Sequence, residues 1–177
     1  MNMRHALLVP PSLLAICWTT PVLAADLSLS IDLPRLKHRP YVAVWIEREN
    51  REHALELALW HEQKSKKKKK SGEARHDKYL PDLRHWWRSG GNQVDLPVDG
   101  VTGPTRPGGL HTLDFNSSNA PLSRLPAGNY RLVVEAARED GGDETLSFAL
   151  PWPPGSAQSQ KQEGKQELGS VTLSVKP

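Results

Sequence analysis

The clearest secondary-structure signal in the chain is the stretch Tyr130-Arg131-Leu132-Val133-Val134-Glu135-Ala136. Apolar residues occupy every second position of this stretch, and Arg, Val and Glu stand between them. Successive side chains of a β-strand point to opposite faces, so a period of two is typical of a strand with one face in a core. The stretch therefore predicts a strand that packs on one side against the rest of the protein.

Similar alternation appears outward from this stretch at 27–33, 110–115, 146–150 and 171–175. Residues 41–47, YVAVWIE, are apolar on both faces and predict a central strand that is covered on both sides. Residues 55–60 fit a further strand, although their Ala, Leu and Glu residues are also compatible with a helix. Together these signals predict an all-β protein, an immunoglobulin-like antiparallel β-sandwich of about seven strands.

The remaining chain predicts one short helix and two long polar loops. Residues 81–88, PDLRHWWR, begin with a proline and are followed by two glycines, which is the pattern of a short helix and its stop. We expect a lysine-rich loop insertion at 64–76 and a mobile polar loop at 152–167. A chain of 177 residues suffices for one compact domain, here predicted at 25–177.

Residues 1–24 have the layout of a secretory signal peptide. Arg4 precedes an apolar stretch, and small residues surround a cleavage position at Ala24 or Ala25. A membrane anchor is disfavoured because the apolar stretch is short and broken by prolines. A lipid attachment at Cys17 is the other alternative, but Ile16 is bulkier than the residue usual before such a cysteine. We expect a periplasmic protein that loses its one cysteine with the leader and contains no disulfide.

The basic character of the chain comes from one tract. The formal charge is +3, from 23 Lys and Arg against 20 Asp and Glu. Without Arg4 and the six lysines of Lys64–Lys70, 16 cations face 20 acids, a charge of −4. The tract contains no aromatic residue, so we expect no nucleic-acid binding. It is interpreted as a solvated loop or, alternatively, as a tether to an anionic membrane surface.

The stretch 99–105, DGVTGPT, is the most informative one for function. Gly103 can adopt a positive φ and Pro104 fixes its own φ, so we expect a stiff turn that holds the Thr105 hydroxyl outward. Asp99 is placed to orient that hydroxyl or to help hold a metal ion. An exposed hydroxyl on a rigid loop is accessible to a modifying enzyme, and a plain surface turn is the alternative.

This stretch resembles the recognition motif for covalent flavinylation of exported redox proteins, Asp-x-x-(Ser/Thr)-Gly-Ala-(Ser/Thr). Asp99, Thr102, Gly103 and Thr105 match the motif, and Pro104 stands in place of its alanine. The resemblance implies that an FAD:protein FMN transferase attaches FMN to Thr105 through a phosphoester bond. A proline at that position removes an N–H and restricts the residue before it.

Most of the chain also resembles a bacterial periplasmic family called domain of unknown function 2271. The resemblance lies in residues 41–47, 57–60, 78–87, 101–111, 125–130 and 135–139, and it covers roughly residues 26–150 together with the last strand. It implies extracytoplasmic electron transfer next to flavin transferases and a PepSY-type membrane redox protein. The chain would then be a redox carrier with no substrate of its own.

Two tryptophans and a nearby arginine complete the candidate flavin site. Adjacent residues of a helix point in different directions, so one of Trp86 and Trp87 packs inward, while the other is a candidate platform for an isoalloxazine ring. Core and interface packing is the alternative role for the pair. Arg106 directly follows Thr105 and is a candidate partner for the phosphate, or else an exposed loop charge.

The sequence lacks the common motifs of metal sites and enzymes, and two functions other than an FMN carrier remain as alternatives. The histidines show no metal-site spacing, and no nucleophile elbow, Walker loop or dinucleotide fingerprint occurs. A metal-binding periplasmic protein is the least favoured alternative. The main alternative to the FMN carrier is a flavin-free immunoglobulin-like binding module.

Overall fold

A computed structural model of the chain describes residues 24–62, 79–139 and 141–177. The leader predicted at 1–24, apart from Ala24, and the lysine-rich loop predicted at 64–76 lie outside these residues. The strands are β1 (Asp26–Leu33), β2 (Tyr41–Arg48), β3 (His53–His61), β4 (Thr102–Pro104), β5 (Gly109–Asn116), β6 (Gly128–Ala137), β7 (Asp143–Trp152), β8 (Gln158–Glu163) and β9 (Ser170–Lys176), and the helix is α1 (Arg84–Ser89).

The strands form two sheets that pack face to face. The four-stranded sheet has the order β5-β1-β9-β8, and the five-stranded sheet has the order β4-β3-β2-β6-β7. Their pairings are antiparallel except that of β3 with β4, which is parallel. The predicted all-β sandwich is confirmed, with nine strands in the described residues where about seven were predicted.

The main core lies between the two sheets. It takes alternate residues of β1, namely Leu27, Leu29, Ile31 and Leu33, and the even-numbered face of β2 and β6. The predicted alternation of 130–136 is confirmed, since Leu132, Val134 and Ala136 belong to this core. Residues 55–60, for which a helix was also considered, lie in β3.

A second core covers the outer face of the five-stranded sheet. Trp45 of β2 and Val133 of β6 pack there against Leu83 and Trp86. The predicted covering of 41–47 on both faces is confirmed, because all seven of these residues are buried. The sandwich therefore has a third layer on one side, and that layer contains α1.

The helix is shorter than the prediction of 81–88. A 3₁₀ turn at Leu80–Asp82 precedes it, and α1 ends at Gly90, which has a left-handed φ of 116°. Pro81 is thus the second residue of the 3₁₀ turn, where its missing N–H costs no hydrogen bond. Within the described ranges, no helix combines the length and the hydropathy that a bilayer crossing requires.

The prediction of a polar loop at 152–167 is wrong for Gln158–Glu163, which forms the edge strand β8. This strand has no apolar residue, so the sequence carried no hydrophobic signal for it. Gln160 and Gln162 instead donate side-chain hydrogen bonds of 2.8 Å and 2.6 Å to the carbonyls of Ala149 and Ser147 in β7. These bonds tie together one edge of each sheet and occupy backbone acceptors of β7.

Replacement of Gly91 by Ala is expected to destabilise the protein. A Cβ atom at Gly91 would lie 2.2 Å from Cε2 of the fully buried Trp86 ring. Forcing that ring aside costs about 1–3 kcal/mol of unfolding free energy, as for other overpacked sites. Urea denaturation measures the loss, and Gly155→Ala is the matched control.

A Cβ atom at Gly155 would meet no atom of the described part of the chain within 4 Å, and Gly155 has no positive φ. Its substitution should therefore change stability by less than about 0.5 kcal/mol. Equal stability of the two variants would contradict the placement of Gly91 against the indole.

Candidate functional site

Thr105 lies on the connection between the two sheets. β4 is the edge strand of the five-stranded sheet and β5 is the edge strand of the four-stranded sheet, so residues 105–108 cross the side of the sandwich. Thr105 itself is half-buried and lies outside both hydrophobic cores. The segment is thus a surface connection, fixed at both ends by strands.

The turn before β4 is built from two of the motif residues and Val98. The Val98 amide donates a 2.9 Å hydrogen bond to the Thr102 hydroxyl, and the Thr102 amide donates a 2.9 Å bond to the Val98 carbonyl. Asp99 is exposed in this turn, and Gly100 supplies its positive φ of 75°. Thr102 is therefore a structural residue of the turn, and Asp99 is open to solvent.

The expected stiff turn at Gly103 and Pro104 is wrong. Both residues belong to β4, where they pair with Trp60 and His61 of β3, and Gly103 has no positive φ. Proline is tolerated because β4 is an edge strand. Thr105 is therefore placed by the end of a strand rather than by a tight bend.

Arg106, which directly follows Thr105 in the chain, belongs to a cluster with the aromatic rings of Trp60 and His111. The Arg106 guanidinium carbon lies 5.2 Å from the centroid of the Trp60 ring, and the His111 ring meets the same indole edge-on at 5.6 Å. Nε2 of His111 lies 2.7 Å from the Pro107 carbonyl oxygen. A carbonyl oxygen only accepts, so Nε2 carries the proton. Arg106 thus stacks on Trp60, a contact that the sequence did not indicate.

The tryptophan pair of α1 is split between core and surface. Trp86 is fully buried, and its Nε1 donates a 2.7 Å hydrogen bond to Glu56. It has no exposed ring surface, so the expected role in stacking on a flavin does not fit Trp86. Trp87 is half-buried against the same core, with the two ring centroids 6.4 Å apart. Trp87 is therefore the more exposed member of the pair.

A network of buried acids lies beneath α1, and sequence reasoning missed it. The carboxylate of Glu135 accepts hydrogen bonds of 2.9 Å from the His85 amide and 2.7 Å from the Trp86 amide, which caps the first turn of α1. Glu47 accepts from Nη2 of Arg131 at 2.7 Å and lies 3.1 Å from Nε2 of His85. The alternation of β6 assigned Glu135 and Arg131 to a solvent face, but the layer that contains α1 buries Glu135 fully and Arg131 in part.

Burial controls the protonation of this network. It raises the pKa of Glu56 to about 8, against the indole hydrogen bond, which lowers it. Burial also raises the pKa of Glu135 to about 7, although the amides of Trp86 and His85 favour its ionised form. The pKa of His53 falls to about 4 because burial disfavours its cation. The site therefore holds a protonated acid and a neutral histidine near neutral pH.

Surface grooves, but no metal-ligating cluster, occur among the residues that the structure describes. Among them, no group of three or more His, Cys, Asp and Glu side chains is arranged to hold a metal ion. One surface groove is lined by the ends of β1 and β5, including Asp26 and Asn116. A second groove is lined by residues that include Arg48 and Tyr130. Neither of these two grooves includes Thr105.

A family model described as "Predicted periplasmic protein (DUF2271)" matches residues 26–170. The match spans most of the chain, and the protein belongs to this family of unknown function. No curated protein and no solved structure matches the chain.

Proposed function

We propose that this member of the DUF2271 family is a periplasmic electron carrier that bears FMN on the Thr105 hydroxyl. The observation that carries the proposal is the position of Thr105, half-buried on the connection between two edge strands and outside both cores. The flavinylation motif, which is matched by Asp99, Thr102, Gly103 and Thr105, also supports Thr105 as the attachment site. The bound flavin would accept and release the electrons, and the protein would hold and present it.

The attachment reaction requires FAD and a transferase. The Thr105 oxygen attacks the phosphorus on the FMN side of the FAD pyrophosphate, and the bond to the bridging oxygen breaks. AMP is the leaving group, and the hydroxyl proton passes to a base of the FAD:protein FMN transferase. The product is a phosphodiester between FMN and Thr105, and no electron is transferred in this step.

The carrier needs a redox partner at the membrane. We propose a PepSY-type membrane protein for this role, on the resemblance described above. Lys64–Lys70, which lie outside the described residues, would strengthen the encounter by attraction to anionic lipid headgroups. Signal-peptide cleavage near Ala24 would place the chain in the compartment where these partners work.

Flavin fluorescence in a denaturing gel tests the proposal, because only a covalently attached flavin stays with the unfolded chain. We expect a fluorescent band when the exported protein is co-expressed with a transferase. Thr105→Ser should retain the band, since serine also supplies a hydroxyl, whereas Thr105→Ala should abolish it. Thr112→Ala is the matched control, because Thr112 is an exposed threonine of β5. A band of equal intensity in Thr105→Ala would contradict the proposal.

A flavin-free binding module is the second candidate function. It is favoured by Pro104, which stands in place of the motif alanine. This function predicts a stable complex with a colourless protein. Trp87→Ala would weaken the complex and Thr105→Ala would leave it unchanged, whereas a complex that requires the flavin would depend on Thr105.

A further inference from the structure

The Thr105 connection is held to the sandwich from both sides of the crossing. Arg106 covers the ring of Trp60, which belongs to β3 and is 2% exposed. His111 of β5 fixes the next residue by its hydrogen bond to the Pro107 carbonyl, and it also contacts Trp60 edge-on. The Trp60 indole thus contacts Arg106 within the crossing and His111 after it, and each sheet contributes one of the two rings.

Backbone packing fixes the end of the same connection. A Cβ atom at Gly108 would lie 2.8 Å from Cα of Arg35, so the chain passes very close to the segment that follows β1. Gly109 has a φ of 128°, which glycine adopts readily and other residues rarely do. The path from Arg106 to Gly108 is therefore restricted by a contact at each of its three residues.

We propose that Trp60, Arg106 and His111 are positioning residues that hold the Thr105 segment in one conformation, so that its hydroxyl is presented ready for FMN transfer. The part concerning transfer rests on the proposed function, whereas the conformational part does not. A reacting group held in place before the encounter saves the entropy of ordering it in the transition state. A rigid acceptor segment therefore raises the rate of the chemical step.

Arg106 has a second property that suits a phosphodiester. A guanidinium that lies on an aromatic ring is attracted by the ring face and still carries N–H groups for an anion. The Arg106 side chain is exposed, and its backbone directly follows Thr105. Its charge would thus lie near the negative charge of an FMN phosphodiester, with the cation already ordered on Trp60.

Backbone dynamics test the conformational part without any flavin. We expect NMR order parameters of about 0.85 for the Thr105, Arg106 and Gly108 amides of the unmodified protein, the value of rigid backbone. The double variant Arg106→Gln, His111→Phe removes the cation and the hydrogen bond, and should lower these values below about 0.6. Arg124→Gln, at an exposed arginine of another turn, is the matched control. Unchanged order parameters in the double variant would overturn the proposal.

Transfer kinetics test the functional part. With transferase and FAD in excess, we expect Arg106→Gln and His111→Phe each to reduce the maximal transfer rate about three- to fivefold, the effect of losing one exposed cation–π contact or one hydrogen bond. The same final extent of labelling should be reached, and Arg124→Gln should match the unmodified protein.

The outcomes separate the two proposals. Labelling of the unmodified protein and both variants at one rate would overturn the positioning role and leave the FMN carrier intact. Complete absence of labelling in the unmodified protein would overturn the FMN carrier and with it the transfer part, while the order parameters would still decide whether the three residues hold the segment.

Discussion

Glu56→Gln is expected to make the protein more stable at alkaline pH, with a gain of roughly 2–5 kcal/mol in unfolding free energy above about pH 8. Glu56 is buried in β3, and Trp86 Nε1 donates to its carboxyl at 2.7 Å. Among the residues that the structure describes, none forms a hydrogen bond with its other oxygen. An amide of the same shape keeps the acceptor for the indole and never acquires the buried charge.

The direction of this pH effect on stability follows from the raised pKa of Glu56. Below the ordinary value of 4.5, Glu56 is protonated in the folded and the unfolded protein, and pH has no effect through this group. As pH rises from 4.5 to about 8, the unfolded chain releases the proton while the folded protein retains it. The folded state is then progressively destabilised, up to a constant penalty above pH 8. Glu135, with its pKa raised to about 7, contributes in the same direction.

His53 acts in the opposite direction at lower pH. Its folded-state pKa of about 4 lies below the ordinary 6.5, so protonation of the unfolded chain destabilises the folded state as pH falls from 6.5 toward 4. The His53 and Glu56 windows overlap between pH 4.5 and 6.5, so in this range the effect of His53 partly offsets that of the two glutamates.

Urea unfolding between about pH 5 and pH 9 measures the effect of Glu56→Gln. Glu62→Gln, at an exposed residue just after β3, should follow the unmodified protein throughout. A constant difference between Glu56→Gln and the unmodified protein over this range would contradict a protonated Glu56 in the folded state.

Glu47→Ala should lower the unfolding free energy by roughly 2–4 kcal/mol, because it leaves the partly buried Arg131 without its counter-charge. Glu47 is 1% exposed as a side chain, and Arg131 is 35% exposed, which limits the penalty. Glu163→Ala removes an ion pair whose side chains are 59% and 64% exposed, and should cost less than about 0.5 kcal/mol.

Denaturation of the two variants in parallel measures this contrast between a buried and an exposed ion pair. Similar losses of unfolding free energy in Glu47→Ala and Glu163→Ala would mean that the Glu47 ion pair beneath α1 is open to water.

The sandwich could be predicted because its core strands carry a period of two. β1 and β6 place one apolar face between the sheets, and the doubly apolar β2 lies at the centre of the five-stranded sheet. β4 and β8 could not be predicted in the same way. β4 has three residues and pairs through its backbone, and β8 is held by glutamine side chains, so neither carries a hydrophobic pattern.

The candidate site was predictable only in part. The motif identified the residues around Thr105, but the backbone at Gly103 depends on pairing with Trp60, which is 43 positions earlier in the chain. The buried acids were missed for a related reason. Glu135 stands at a position that an uncovered strand would expose, and the layer that contains the six-residue helix α1 covers it. Glu47 ends the stretch whose burial was predicted, but its partners Arg131 and His85 are distant in the chain. Long-range contacts of this kind leave no local pattern.

The mass of the intact exported protein after co-expression with an FAD:protein FMN transferase tests the central claim most directly. The account predicts a mass that exceeds the polypeptide by one FMN less one water, with the added mass located by fragmentation on Thr105 and absent from Thr105→Ala. A mass equal to that of the bare polypeptide, or an added FMN located on another residue, would contradict it.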